Sequence, residues 1–313
     1  MATRPEVLSD IALLRQSLRS AGSPHLPLLT LQLWRPVKDV AVDLATIVAV
    51  LSMALLEPWT SPLALLILGN RQRALGNILH DAAHRNLTRD RQVNDLVARA
   101  LIAPLLFLSL SHYRDLHFRH HFDLGAQGTD PDLIPIPPEK AQSWTIAVAA
   151  NTLSVRAVLG STFGHLLDRA VPRAERLYIV AWWVMLVVAV AAITGAGHVV
   201  ALLTLWLAAR ATFFHLITTF REMCDHHGLA PGGVFSFTRD ITSSGAWSLL
   251  IHPRNNAYHL THHLLPAVPY YRLPEAQRLF AKLPEYQRRA QVCPTYLAGP
   301  ARAVQAWQRE PSR

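Results

Sequence analysis

The chain has 313 residues, of which 51% are hydrophobic and 16% charged, against about 25% charged in an ordinary soluble domain. Thirty Lys+Arg against 21 Asp+Glu leave a net charge of +9, and sixteen residues are histidine. This composition is too apolar for a disordered chain, and two cysteines cannot build a disulfide-rich scaffold. Low charge combined with high apolarity points to a membrane protein.

The N-terminus, Met1-Ala2-Thr3-Arg4-Pro5-Glu6, lacks the apolar stretch of a signal peptide. Residues 1–37 are expected to form a polar, proline-containing cytosolic arm. Residues 44–70 carry one charge, Glu57, inside the turn-like Glu57-Pro58-Trp59-Thr60-Ser61-Pro62. That pattern predicts helices over 39–56 and 61–84. Residues 99–111 are uncharged after Arg99. They are too short for a hydrocarbon core of about 30 Å, so an interfacial or partly inserted helix is expected. Residues 143–167, interrupted by Arg156 and His165, are read in the same way. Residues 177–209 contain no Asp, Glu, Lys or Arg. A single helix of that length would run about 50 Å, beyond what a bilayer needs. The breaker run Thr194-Gly195-Ala196-Gly197 divides it into helices over 174–194 and 197–220.

The expected fold is therefore all-α and integral to the membrane. Four transmembrane helices in two hairpins carry interfacial helices and a cytosolic histidine-rich cap. A membrane domain covers 38–290 and a cytosolic tail 291–313. Neither hairpin turn contains Lys or Arg. By the positive-inside rule both turns face outward, and both termini and the long connections face the cytosol. The net +9 then reflects basic residues kept beside anionic lipid headgroups. A nucleic-acid partner is not expected, because no recognition motif accompanies the charge. Cys224 and Cys293 fall on the cytosolic side, where thiols stay reduced. Only Lys38, Lys140 and Lys282 among the basic residues are lysines. That bias suggests a GC-rich bacterial genome, and hence a bacterial inner membrane.

The histidines cluster. The runs are His80-Asp81-Ala82-Ala83-His84, His117-Phe118-Arg119-His120-His121 and His259-Leu260-Thr261-His262-His263, with a shorter Asp225-His226-His227. On a helix, positions i, i+3 and i+4 share a face, so each run aims at least two imidazoles at one place. The expected topology puts all four runs at one membrane face. Three boxes supply eight histidines and the shorter run a ninth. A single zinc takes three or four protein ligands, so nine imidazoles imply two metal ions. Spacing alone leaves the metal open among Zn, Cu, Fe and Ni. His25, His165, His198 and His252 are isolated and read as structural, while His112 and His215 read as hydrogen-bond partners of ligands at most. Asp81, Asp115 and Asp225 lie within two residues of a histidine and could orient imidazoles. For Asp115 a solvated surface position is favoured. Arg71, Arg73 and Arg210 lie in or near the inner half of the bilayer. They are expected to snorkel, with an anionic headgroup or substrate carboxylate as the alternative for Arg73 or Arg210.

The ordered boxes resemble those of the membrane fatty acid desaturase superfamily, which includes acyl desaturases, alkane hydroxylases and carotenoid ketolases and hydroxylases. The stretch Asn255 to Pro274, the run Arg221-Glu222-Met223-Cys224-Asp225-His226-His227-Gly228 and Asp130-Pro131-Asp132 are similar to bacterial desaturase-like members. The likeness covers residues from about 40 to 290. It implies a non-haem di-iron centre with O2 as co-substrate. The implied ligands are His80, His84, His117, His120, His121, His259, His262 and His263, with His226 at the ninth position. Some relatives place an Asn four residues before that ninth histidine; Glu222 stands there in this chain. It is expected either to bring a carboxylate near one metal or to pair with Arg221. The resemblance further implies a desaturase that introduces a C=C bond into a fatty acyl chain or related substrate. The alternatives are a hydroxylase or ketolase of an alkyl, lipid or carotenoid substrate, a desaturase of a small secondary metabolite, and a membrane metal carrier without catalysis. Ala230-Pro231-Gly232-Gly233 lacks the histidine of a haem motif. Electrons are therefore expected from a separate ferredoxin, rubredoxin or similar carrier with its reductase.

Overall fold

The structure, a computed structural model, describes residues 4–22, 25–134 and 143–307. Residues 1–3 and 23–24 of the expected arm and 308–313 of the expected tail lie outside the described residues. In chain order its elements are α1 (Arg4–Ser20), α2 (Trp34–Leu56), α3 (Ser61–Ala83), α4 (Arg91–Leu101), α5 (Leu110–Phe122), α6 (Trp144–Thr152), α7 (Val155–Leu167), α8 (Arg173–Thr194) and α9 (Ala196–Ala209). A π-helical turn (Arg210–Phe214) then leads into α10 (His215–His226). There follow α11 (Val234–Phe237), β1 (Arg239–Ile241), α12 (Ala246–Leu250), α13 (His259–Leu264), α14 (Leu273–Phe280), α15 (Pro284–Arg289), β2 (Gln291–Cys293) and α16 (Ala303–Ala306). The chain divides into two compact units. One comprises Met1–Leu31, Arg114–Ala150 and Thr219–Arg313, the other Gln32–Tyr113 and Asn151–Thr218.

The second unit holds the apolar helices. The helices Trp34–Leu56 and Arg173–Thr194 and the run Ala196–His226, which continues into the first unit, are each long and apolar enough to cross a membrane. The pair α6–α7, bent by 55°, makes a fourth candidate if it counts as one span. This mostly helical chain is a membrane protein.

α3 is long enough to cross but too polar to rank with these, because Asn70, Arg71, Gln72, Arg73 and Asn77 fall in its middle. Its tertiary position explains the polarity. Gln72, Arg73, Asn77 and Asp81 are buried, whereas α8 buries only Ile179. Polar groups in a membrane segment are tolerated where protein, not lipid, surrounds them. Arg71 does not merely snorkel: its Nη1 donates to Asp43 Oδ1 on α2 at 2.8 Å, and Asp43 is fully buried.

The turns follow from local sequence. Gly195 takes φ 85 between α8 and α9, a left-handed conformation that glycine adopts without Cβ strain. The segment expected as one helix over 99–111 instead ends α4 at Leu101 and passes through a 3-10 turn at Pro104–Leu106. Proline cannot continue a helix. The carbonyls left open there are satisfied by α8, where Tyr178 Oη donates to Arg99 O at 3.1 Å, Trp182 Nε1 to Ala100 O at 3.0 Å and Trp183 Nε1 to Pro104 O at 2.8 Å. The segment over 143–167 breaks at Ser154, whose hydroxyl caps α7 by accepting from Ala157 N at 3.3 Å.

In the first unit, the expected arm contributes a packed helix. Val7, Leu14 and Leu18 of α1 are buried, and Asp10 accepts from Phe235 N at 3.1 Å and pairs with Arg289 at 2.7 Å. The tail contributes β2, which pairs in parallel with β1 through Arg239–Gln291, Asp240–Val292 and Ile241–Cys293. This small sheet is the departure from an all-α expectation. Around it lies a core that includes Phe220, Met223, Cys224, Ile241 and Tyr296.

Gly69 on α3 faces the π turn closely: a Cβ there would stand 2.7 Å from both Phe213 Cβ and Phe214 N. Gly69→Val is expected to cost about 1–3 kcal/mol through overpacking, read as a lower Tm in detergent. Gly76→Ala, whose Cβ meets only Leu106 Cδ1 at 4.0 Å, should hold or raise Tm, since alanine is the better helix former.

Candidate metal centre

Box one straddles the end of α3. His80 lies in its last turn and His84 is the C-cap. Beyond the cap, Arg85 is left-handed (φ 61), Arg85 N bonds Ala82 O at 3.0 Å and Asn86 N bonds Asp81 O at 2.9 Å. That pair of bonds is a Schellman closure. Asn94 of α4, fully buried, tightens it by donating to Ala82 O at 2.9 Å and accepting from Leu87 N at 3.2 Å. The His80 and His84 rings lie 5.2 Å apart between centroids, both half-buried. Asp81 between them is buried.

The first unit gathers the other histidines about two points. At the first, His121 Nε2 lies 3.0 Å from His117 Nε2 and 3.1 Å from His262 Nε2. At the second, His259 Nε2 lies 3.0 Å from His226 Nε2 and 3.1 Å from His263 Nε2. His120, His259 and His263 there present nitrogens all within 4.8 Å of one another. All seven side chains are buried. Two nitrogens each about 2.1 Å from a shared ion at a right angle stand about 3 Å apart. The spacing and the neutral imidazole donors therefore fit a metal ion at each point.

The opposite ring nitrogens are held from outside. His120 Nδ1 bonds Asp130 Oδ1 at 2.8 Å, and Asp130 in turn accepts from Gly125 N at 2.7 Å and Asp132 N at 3.0 Å. His226 Nδ1 donates to Phe237 O at 2.9 Å. Asp225 Oδ2 lies 3.6 Å from His259 Nδ1 and is itself bound by Arg221 Nη1 at 2.6 Å. Each contact turns Nε2 inward, as ligating imidazoles require. Of the three aspartates singled out from sequence, Asp225 takes this role, Asp81 is buried beside box one and Asp115 is exposed. Asp130 was noted only as part of a motif; its role appears when the chain folds back ten residues after His120.

Two further residues escape sequence reasoning altogether. Successive strand residues point to opposite faces. Arg239 on β1 therefore reaches the end of α10, donating to Cys224 O at 2.8 Å and His227 O at 2.7 Å on either side of His226. Asp240, fully buried, reaches α13 instead. It accepts from Thr261 N at 3.0 Å, Thr261 Oγ1 at 2.6 Å and Tyr286 Oη at 2.6 Å. One short strand thus fixes the backbone of both histidine segments.

Several expected bystanders have other partners. His112 faces Asp168 at 3.4 Å, His165 accepts from Ser109 N at 3.2 Å, and His215 bonds Ser161 at 2.9 Å. His198 bonds Thr194 O at 2.6 Å, and His252 bonds Tyr296 Oη at 2.7 Å. Glu222 accepts a hydrogen bond from Arg221 Nη2, and its charge acts on the imidazoles of His117, His120 and His226.

These features define a membrane-embedded helical protein with buried imidazole clusters. The fatty acid desaturase family model matches residues 57–292, and the chain belongs to that family. It is a desaturase-type oxidoreductase. It is similar to the dihydrorhizobitoxine desaturase of Bradyrhizobium elkanii, 28% identical over 271 residues that cover 80% of this chain and 75% of that protein. Shorter likenesses are to the sn-1 oleoyl-lipid 12-desaturase of Anabaena variabilis, 32% identical over 28% of this chain and 25% of that one, and to the Delta(8)-fatty-acid desaturase of Euglena gracilis, 32% identical over 23% and 17%.

Burial holds the imidazoles of His259, His262 and His263 well below their ordinary value of 6.5 and also lowers His117. His120 differs. Burial lowers it, but the bond to Asp130 and the charges of Asp132 and Asp130 outweigh this and push it up to about 9. A cation at Nε2 would take the place of that second proton. In metal-free protein the four lowered histidines must charge on unfolding in acid, so their contribution is lost as pH falls below 6.5. His227 and His252, pulled down to about 4 by burial, act in the same direction. Asp240, pushed up to about 6 by burial, opposes them alone. The contribution of His120 is full below 6.5 and is lost as pH rises through 9. The Tm of metal-free protein in detergent should therefore peak near pH 6.5, with the fall between pH 6.5 and 9 reduced in Asp130→Asn; above that, the buried Cys224 thiol adds its own alkaline loss. A Tm that is flat or rising from pH 6.5 to 5 would contradict the assignment.

Asp240→Ala leaves two buried hydroxyls and one N–H without their acceptor and should cost about 3 kcal/mol, together with lost metal content. Asp115→Ala should change neither.

Proposed function

We infer that the chain is an O2-dependent membrane di-iron desaturase that introduces a C=C bond into a fatty acyl chain or related substrate. The observation that carries this reading is the pair of buried Nε2 clusters in a chain of the desaturase family. His117, His120, His121, His226, His259, His262 and His263, with His80 and His84 from box one, are the proposed iron ligands. Two bound irons would supply the activation of O2 that cleavage of an unactivated C–H bond requires. The protein's own groups orient the imidazoles, burial keeps those of His117, His259, His262 and His263 neutral and excludes bulk water, and at His120 a bound cation would take the place of the second proton. Glu222 is proposed to act through Arg221, which also holds Asp225 beside His259.

The proposed architecture is two transmembrane hairpins, α2–α3 and α8–α9 continued into α10, in a bacterial inner membrane. Both turns face outward, and the active site and termini face the cytoplasm. The reading keeps a membrane domain over 38–290 with arm 1–37 and tail 291–313. Electrons come from an external ferredoxin, rubredoxin or similar donor with its reductase, steered by the basic cytosolic surface. Turnover then falls as ionic strength rises.

A second reading has a specific support. The relative with broad coverage is named for dihydrorhizobitoxine, not for a lipid, so a small metabolite is the alternative substrate. Mass spectrometry of lipids and small metabolites from cells with and without the gene separates the two. The expected product differs from its precursor by two hydrogens. Gain of an oxygen instead would replace desaturation with hydroxylation. Glu222→Ala should retain iron and lose activity modestly; loss of iron would make Glu222 a ligand.

A further inference from the structure

Two opposite charges of the membrane unit line one cavity without meeting. Arg99 stands in the last turn of α4 and Glu175 in the first turn of α8. Neither makes an ion pair among the described residues. Both line a cavity of about 330 Å3, together with Leu96, Ser109, Tyr178 and Ile179. Small-ligand sites usually hold about 300–1,000 Å3.

Hydroxyls aim the carboxylate. Ser109 Oγ and Ser111 Oγ donate one to each oxygen of Glu175, the second at 2.5 Å. An ionised carboxylate has about four acceptor sites. Two hydroxyls therefore fix its plane and leave room for a cationic donor. Arg99 is exposed, and its backbone carbonyl accepts from Tyr178 Oη at 3.1 Å. That bond sets the end of α4 level with the second turn of α8.

The depth of the cavity follows from the charge pattern. Residues 100–111 contain no Asp, Glu, Lys or Arg after Arg99, and residues 177–209 contain none after Arg176. Both uncharged runs begin within two residues of the pair. The cavity therefore lies where headgroups meet hydrocarbon, and a tyrosine beside it fits that depth. Further along, α8 turns Val180, Val184 and Val188 outward, a surface that acyl chains can follow.

A ligand for this cavity needs an anion for Arg99, a hydrogen-bonding cation for Glu175 and apolar tails beside Leu96 and Ile179. The planar fork of an arginine meets a phosphate with two bonds. A primary ammonium has N–H groups to donate to a carboxylate. A trimethylated ammonium has none, and a headgroup without a cation sets its phosphate against Glu175. We propose that the cavity is a headgroup site for phosphatidylethanolamine, with its phosphate on Arg99 and its ammonium on Glu175. The site goes beyond the desaturase reading and holds whether or not the bound lipid is itself a substrate.

The test mixes full-length protein in detergent with equimolar phosphatidylethanolamine, phosphatidylcholine and phosphatidylglycerol of the same acyl chains. Native mass spectrometry then counts the lipid retained. Phosphatidylethanolamine should be retained about tenfold over each of the others, the worth of one charge-assisted hydrogen bond. Glu175→Gln should remove the preference over phosphatidylcholine, and Arg99→Gln should lower retention of all three lipids. Ala174→Trp, at an exposed position lining the cavity, obstructs it without touching either charge. It should abolish the preference, and it keeps the test decisive if Glu175→Gln does not fold. Equal retention of the three lipids by the unaltered protein would overturn the proposal. Preferential retention of phosphatidylglycerol would also overturn it, by making the cavity a plain anion site. An unchanged preference in Ala174→Trp, or in folded Glu175→Gln, would do the same.

Discussion

Imidazole nitrogens that face one another at 3.0–3.1 Å inside a buried site set the terms for the first unit. Lone pairs brought this close are stable only with a cation or a proton between them. Their rings must also be held so that they cannot turn away. The surrounding groups do that holding. Asp130, Asp225 and the Phe237 carbonyl engage Nδ1 atoms, while Arg239 and Asp240 anchor the backbones from which the rings project. The site is thus less a set of histidines than a rigid frame in which neutral imidazoles have one allowed orientation.

The membrane unit solves a different problem by similar means. α3 must carry polar residues down to box one, so it is sheltered by other helices and its charge is neutralised in place by Asp43. The lipid-facing work falls to α8, in which Ile179 alone is buried. Hydropathy identifies α8 readily and undervalues α3 for one reason: hydropathy measures what a helix would show to lipid, and α3 shows little. Gly69 admits the close approach of the π turn, and that turn carries Arg210.

The histidine boxes were legible because a helix converts sequence spacing directly into direction: His117 and His121, or His259 and His263, meet through i,i+4 geometry alone. The glycine between α8 and α9 and the charge-free run around it were legible for the same local reason. Asp130 was half-legible, as a motif without a role. Arg239 and Asp240 were not legible at all. Their functions depend on a three-residue strand whose partner, β2, lies about fifty residues away, and no local pattern records that pairing.

The sequence by itself determined the apolar helices, the family and which histidines are available, since each is written in short-range periodicity and composition. The tertiary structure alone decided how the seven imidazoles of the first unit divide between two points, which carboxylates orient them, and that Glu222 meets Arg221. Those are questions of which side chains share a few ångströms of buried space. The answer comes from long-range packing, in which desolvation makes each unpaired polar group costly enough to force a single arrangement.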